Sequence, residues 1–226
     1  MRKALLVTLL LLSALSLKAQ QDDEYLMEIG GGVGMVSYEG DFNGNVLKNM
    51  QPMGSVVLRR ILNPYMGFRL AGSFGKLKGA AADVKTYYPD EATRGYTFSH
   101  SLVDVGVTYE YNFWPYGTGR DYRGAKRLTP FIFGGIGATY VSGDNSVFTA
   151  NVPLGLGVKY KLRERLNLGV EWRMHFSLSD KLDGMADPYG IKSSGLFKNT
   201  DCYSMLQLSL TYDILAKCKT CHNDRN

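Results

Sequence analysis

From residue 101 to 113 the chain alternates strictly. Odd positions carry Val103, Val105, Val107, Tyr109, Tyr111 and Phe113, and even positions carry Asp104, Gly106, Thr108, Glu110 and Asn112. A period of two sends successive side chains to opposite faces of an extended strand, so one face is apolar and the other polar. The split recurs over 151–162, where Val152, Leu154, Leu156 and Val158 oppose Gly155, Gly157, Lys159 and Lys161. Over 166–178, Leu168, Val170, Trp172 and Met174 oppose Gly169, Glu171, Arg173 and His175. Leu206, Leu208, Leu210, Tyr212 and Ile214 oppose Gln207, Ser209, Thr211 and Asp213 near the end. Four further segments read as strands: 25–38, where Glu28 shares a face with Gly30, Gly32 and Gly34; 53–62, where Val56-Val57-Leu58 blurs the pattern; 65–77; and 130–142, rich in Phe, Ile and Gly.

Several of these segments exceed the usual sandwich strand and match the roughly 9–11 residues of a tilted membrane strand. The connectors alternate between long and short, as an up-and-down barrel with both termini in the periplasm requires. Residues 39–52, 79–95 and 180–201 are expected to be extracellular loops, with Asn63-Pro64 and Arg163-Glu164-Arg165 as tight periplasmic turns. Two connectors depart from that rule: Gly143 to Ser146 is a short loop, and Trp114 to Thr129 is a long turn. The expected fold is all-β, a transmembrane antiparallel barrel of about eight strands over residues 20–215. The competing architecture, a soluble β-sandwich, also alternates but calls for shorter and more even loops. An eight-strand interior is filled by side chains, so Glu110, Lys159, Glu171, Arg173 and Asp213 are expected to pair in the lumen.

The first residues agree with export. Arg2 and Lys3 precede an apolar run through Leu15 that is too short to stay as an anchor, and a small residue at Ala19 places cleavage there, giving a signal peptide over 1–19. No apolar stretch behind it is long enough for a spanning helix, so a membrane crossing must use strands. Tyrosine (15) and glycine (26) are abundant and charged residues make up 21%, which suits a closed sheet with aromatic interfaces. The formal charge of +5 includes Arg2, Lys3 and Lys18, and the +2 left without them has no nucleic-acid footprint.

Chemical motifs are few. Cys218-Lys219-Thr220-Cys221-His222 has the form of a covalent haem attachment, yet it lies in a tail, 216–226, with nothing to enclose a macrocycle. Zinc would want four ligands where three are at hand. A disulfide is the expected use of Cys218 and Cys221, either with each other or with a periplasmic partner; Cys202, a membrane crossing away, is out of reach. The glycine clusters at 30–34 and 134–137 lack a following Gly-Lys-Ser/Thr and read as strand packing positions, not as a phosphate loop. His100, His175 and His222 form no catalytic constellation, and His175 with Ser177 or Ser179 is the single formal candidate for a barrel hydrolase. No catalytic residue, cofactor, metal or small-molecule substrate is therefore expected.

Trp114-Pro115-Tyr116-Gly117-Thr118-Gly119, Arg127-Leu128-Thr129-Pro130, the 155–162 strand, the 187–199 loop and the Cys218-x-x-Cys221-His222 tail together resemble the PorG family. These are outer-membrane barrels associated with the type IX secretion system. The resemblance covers nearly all of the chain behind residue 19, with the 187–199 loop and the tail as its specific parts. It implies a non-enzymatic assembly component embedded in outer-membrane lipid, whose periplasmic side contacts the ring formed by the PorK lipoprotein and PorN. The contact residues expected from this are Trp114, Tyr116, Cys218, Cys221 and His222. The alternative is a stand-alone barrel whose extracellular loops bind a ligand or adhere.

Overall fold

The computed structural model describes residues 25–40, 43, 48–81, 95–117, 125–143, 146–179, 181–184 and 200–216. Eight strands follow in order: β1 (Tyr25–Glu39), β2 (Gln51–Asn63), β3 (Met66–Ala80), β4 (Thr97–Asn112), β5 (Leu128–Ser142), β6 (Val147–Arg163), β7 (Leu166–Ser177) and β8 (Cys202–Ala216). Each pairs antiparallel with its neighbour, and β1 closes on β8 from Tyr25↔Ala216 to Glu39↔Cys202. Closure leaves no open sheet edge along the wall, and that is the condition for a sheet to sit in hydrocarbon. The segment expected to be a signal peptide, the 187–199 loop and the tail with Cys218, Cys221 and His222 lie outside the described residues.

The barrel is inside out relative to a water-soluble protein. Val33, Val56, Phe74, Val105, Ile136 and Leu156 face outward and are half-exposed or more, while Arg69, Glu110, Lys159 and Arg173 are buried in the lumen. The alternation in the sequence is thus resolved with its apolar face out and its polar face in, which is the arrangement of a membrane barrel and not of a sandwich.

The two ends differ. One, the turn end, holds Tyr25, Ala216 and the connections at 64–65, 113–127 and 164–165; the other, the loop end, holds the connections at 40–50, 81–96, 143–146 and 178–201. At the turn end Asn63 Oδ1 accepts from the Tyr65 N–H at 2.8 Å and shapes the first tight turn. Outward aromatics cluster here, among them Tyr111, Phe113, Trp114, Tyr160 and Tyr212, as expected where a membrane wall meets its interface.

Three strands start where the expected connectors end, ahead of the clearest alternation: β4 at Thr97 after 79–95, β6 at Val147 after 143–146, and β8 at Cys202 after 180–201. Their first residues place Phe98 and His100 of β4, Thr149 of β6 and Tyr203 and Met205 of β8 in the lumen, so inward positions mix apolar with polar there and the contrast between the faces weakens. Phe98, Leu102, Val141, Tyr203 and Met205 are buried there in one cluster with Val36 and Leu77.

Candidate functional site

The turn-end half of the lumen is a continuous polar assembly. Glu110 on β4 accepts from Lys159 on β6 and from Arg59 on β2, whose Nη2 lies 3.2 Å from Glu110 Oε2, and Arg59 also pairs with Glu28 on β1. Arg69 Nη1 lies 2.5 Å from Glu171 Oε2, and Arg173 Nη2 lies 3.2 Å from Glu171 Oε1 and donates to Gln207 Oε1 at 2.8 Å. Lys161 Nζ meets Asp213 Oδ2 at 2.7 Å, and Asn167 donates to the other oxygen of that carboxylate at 2.7 Å. All five charges expected in the lumen are paired, Glu110 with Lys159 and Arg59, Glu171 with Arg173 and Arg69, and Asp213 with Lys161. Apart from Arg173–Glu171, which lies within β7, each of these ion pairs joins different strands, and together they involve β1, β2, β3, β4, β6, β7 and β8. Glycines make room for its aromatic flank: a Cβ at Gly157 would stand 2.8 Å from the Phe131 ring, over which Lys159 Nζ sits at 4.7 Å from the centroid.

The described parts of the 113–127 connection, 113–117 and 125–127, lie at this end. These two arms are pinned by Phe113 N–H to Pro130 O at 3.0 Å, Lys126 N–H to Pro115 O at 2.7 Å and Tyr116 N–H to Pro64 O at 3.0 Å. Of the two residues expected to face a partner, Tyr116 turns inward. Its ring is buried under the lumen, its hydroxyl donates to Asn167 Oδ1 at 2.8 Å, and Lys159 and Lys161 lie 5.2 and 5.3 Å from its centroid. Trp114 stays on the outside, 40% exposed, with Lys126 Nζ 4.8 Å from its ring centroid and its backbone N–H and C=O both bonded to the Thr129 hydroxyl, at 3.1 and 3.0 Å. No sequence signal separated the two, because the segment is irregular and has no period to assign a face. Cys218, Cys221 and His222 lie outside the described residues.

The loop-end mouth is built differently. Leu182, from the β7–β8 connection, is fully buried against the apolar cluster, and its N–H donates to Asp201 Oδ2 at 2.8 Å while its carbonyl meets His100 Nδ1 at 3.2 Å. The Tyr38 hydroxyl donates to Asp183 Oδ2 at 2.9 Å and also bonds Asp201, so three strand ends hold the strap across the mouth.

His175 is not set up for hydrolysis. It is buried in the lumen, stacked on Tyr203 with centroids 4.5 Å apart, and its Nδ1 lies 3.6 Å from Asp104 Oδ2. Ser177 Oγ accepts from the Ser179 N–H at 3.0 Å, and Asp104 is taken up by Tyr203 and Asn151 at 2.8 and 2.7 Å. Among the described residues no group of three metal-ligating side chains comes together. Cys202 is a free thiol at the loop end; it is separated from Ala216 by the length of β8, roughly 45 Å.

Among solved structures the chain is similar in fold to Neisserial surface protein A (NspA), at 11% identity and TM-score 0.48, over 83% of this chain and 97% of that one. It is also similar to Ail, the attachment invasion locus protein of Yersinia pestis, solved with the heparin analogue sucrose octasulfate, at 9% identity and TM-score 0.49, over 84% and 99%. A third is the outer membrane protein OprG from Pseudomonas aeruginosa, at 10% identity and TM-score 0.48, over 87% and 99%. At these values the likeness extends to the kind of fold and no further. No curated protein matches the chain in sequence. Over residues 2–223 the sequence matches the family described as Domain of unknown function (DUF6089), and the chain belongs to that family.

Proposed function

We propose that the protein is a non-enzymatic barrel of the outer membrane that serves as an assembly component of a protein-secretion machine of the type IX kind, docking periplasmic ring proteins like PorK and PorN through its turn end. The observation that supports this most is the division of labour in the 113–127 segment. The segment is longer than closing a hairpin requires, it is bolted to the neighbouring turn by Tyr116 N–H to Pro64 O, and it leaves Trp114 exposed outside. A rigidly held exposed aromatic is the kind of side chain that anchors interfaces, because little ordering entropy remains to be lost. The filled lumen supports the same reading, since a barrel packed with cross-strand ion pairs offers no channel and has its outer surfaces left for function. In this orientation Tyr25 and Ala216 are at the periplasmic end, the chain that follows Ala216 carries Cys218, Cys221 and His222, and a disulfide within that tail or to a partner would shape it.

The experiment is recovery of the complex from membranes in mild detergent. The tagged wild-type protein is expected to bring the PorK/PorN-like ring with it, and Cys218→Ser with Cys221→Ser to recover less ring while the barrel still shows heat-shifted gel migration. A barrel recovered alone in the wild type would favour the alternative of a stand-alone barrel with ligand-binding or adhesive loops.

A further inference from the structure

Arg165 is fully exposed at the β6–β7 turn, and it is nonetheless held on two sides. Its backbone carbonyl accepts from the Asp213 N–H at 2.8 Å, which fixes the turn to β8. Its Nε donates to the Tyr25 hydroxyl at 2.9 Å and its Nη1 to the Tyr212 hydroxyl at 3.5 Å, while the guanidinium carbon lies 5.0 Å from the centre of the Tyr25 ring. Tyr25 opens β1 and Tyr212 stands near the end of β8, both on the outer wall. A guanidinium has five N–H donors, and these contacts occupy one on each of two nitrogens. The Nη2 edge engages no other group among the described residues.

An exposed arginine ordinarily wanders among rotamers, and ordering it is part of the cost of any ligand it binds. Here the ordering is already present, and the free edge is a planar fork of the kind that meets a phosphate through two parallel hydrogen bonds. Its place on the wall sets the class of phosphate. Tyr25 and Tyr212 belong to the interfacial aromatic belt, and on the membrane side of Tyr212 the wall continues as exposed Leu210 and Leu208, a surface for an acyl chain.

We infer that Arg165, seated on Tyr25 and Tyr212, forms a site for the phosphate of an anionic phospholipid headgroup at the turn-end rim. The guanidinium edge takes the phosphate, the tyrosine hydroxyls stand at the depth of the glycerol region, and the leucines below take the chain. The inference rests on the membrane reading of the barrel and is independent of any protein partner.

The test uses the full chain folded in nanodiscs of equal phosphatidylglycerol and phosphatidylcholine, released into detergent, with retained lipids counted by native mass spectrometry. The wild type is expected to retain phosphatidylglycerol about fivefold over phosphatidylcholine at one site, the preference a single cation near the surface supports. Arg165→Gln is expected to remove that preference. Tyr25→Phe with Tyr212→Phe keeps the charge but frees the side chain, and is expected to give an intermediate value; heat-shifted gel migration identifies the variants that fold. Equal retention by the wild type and Arg165→Gln would overturn the proposal. So would loss of the preference in excess inorganic phosphate, which would mean a free anion site, or stronger retention of lipid A than of phosphatidylglycerol.

Discussion

The two halves of the lumen solve the same packing problem with opposite chemistry. The turn-end half is filled by Glu28, Arg59, Glu110, Lys159, Lys161 and Asp213, capped by Tyr116. The loop-end half is filled by Val36, Leu77, Phe98, Leu102 and Met205, capped by Leu182. A charged interior contributes little net stability against a well-packed apolar one, but it is intolerant of losing one member, because a buried charge is left without its partner. An apolar interior loses stability in proportion to the cavity opened. The difference teaches that the charged half specifies the strand register through directional cross-strand pairs, while the apolar half adapts to whatever the loops lay over it.

That contrast can be broken first at Glu110, which faces both Arg59 and Lys159. Glu110→Ala strands two buried cations, and the expected loss is about 3–5 kcal/mol, read as a lower urea midpoint for the barrel in lipid vesicles. Glu110→Gln, which keeps the volume, should lose nearly as much; a loss no larger than that of an apolar truncation would mean that water screens the network. Leu182→Ala in the other half is expected to cost about 2 kcal/mol, the low end for a buried leucine, since the strap can settle into the space. Its expected signature is faster proteolysis near residues 181–184 with little change in the barrel's own midpoint. The smallest effect falls on the cap of the charged half: Tyr116→Phe removes one hydrogen bond to Asn167 and should cost about 1 kcal/mol, visible as a small shift of the same urea curve. A shift as large as that of Glu110→Ala would show that Tyr116 organises the ion network and does not merely cover it.

The same contrast explains what could be read from the chain. Where the lumen is charged, inward and outward residues differ in kind, so 103–113 and 166–178 displayed the strand, its faces and its lumen charges directly. Toward the loop end the inward positions mix Phe98 and Met205 with His100 and Thr149, so the first residues of β4, β6 and β8 carry no clean alternation and were bounded only by the connectors before them. In β2 the run Val56-Val57-Leu58 hid which of Arg59 and Arg60 points inward, and only the register Arg59↔Arg69 with β3 decides it. In β5 both faces are hydrophobic, because Phe131 and Phe133 pack inward over Gly157 and Gly155 while Ile132 and Ile136 face out. The opposite fates of Trp114 and Tyr116 depend on how the 113–127 segment folds back on Pro64, and nothing local encodes that. The strap at Leu182 was likewise illegible, since an isolated leucine in a polar loop carries no period.

The account turns on which end of the barrel meets the secretion machine, and site-specific photocrosslinking in intact cells addresses that directly. A photoreactive residue is placed at Trp114 on the turn end and, in a separate strain, at Lys78 on the outward face of the loop end. The account predicts a specific adduct with the PorK/PorN-like ring from position 114 and none from position 78. A ring adduct from position 78 with none from 114 would contradict it.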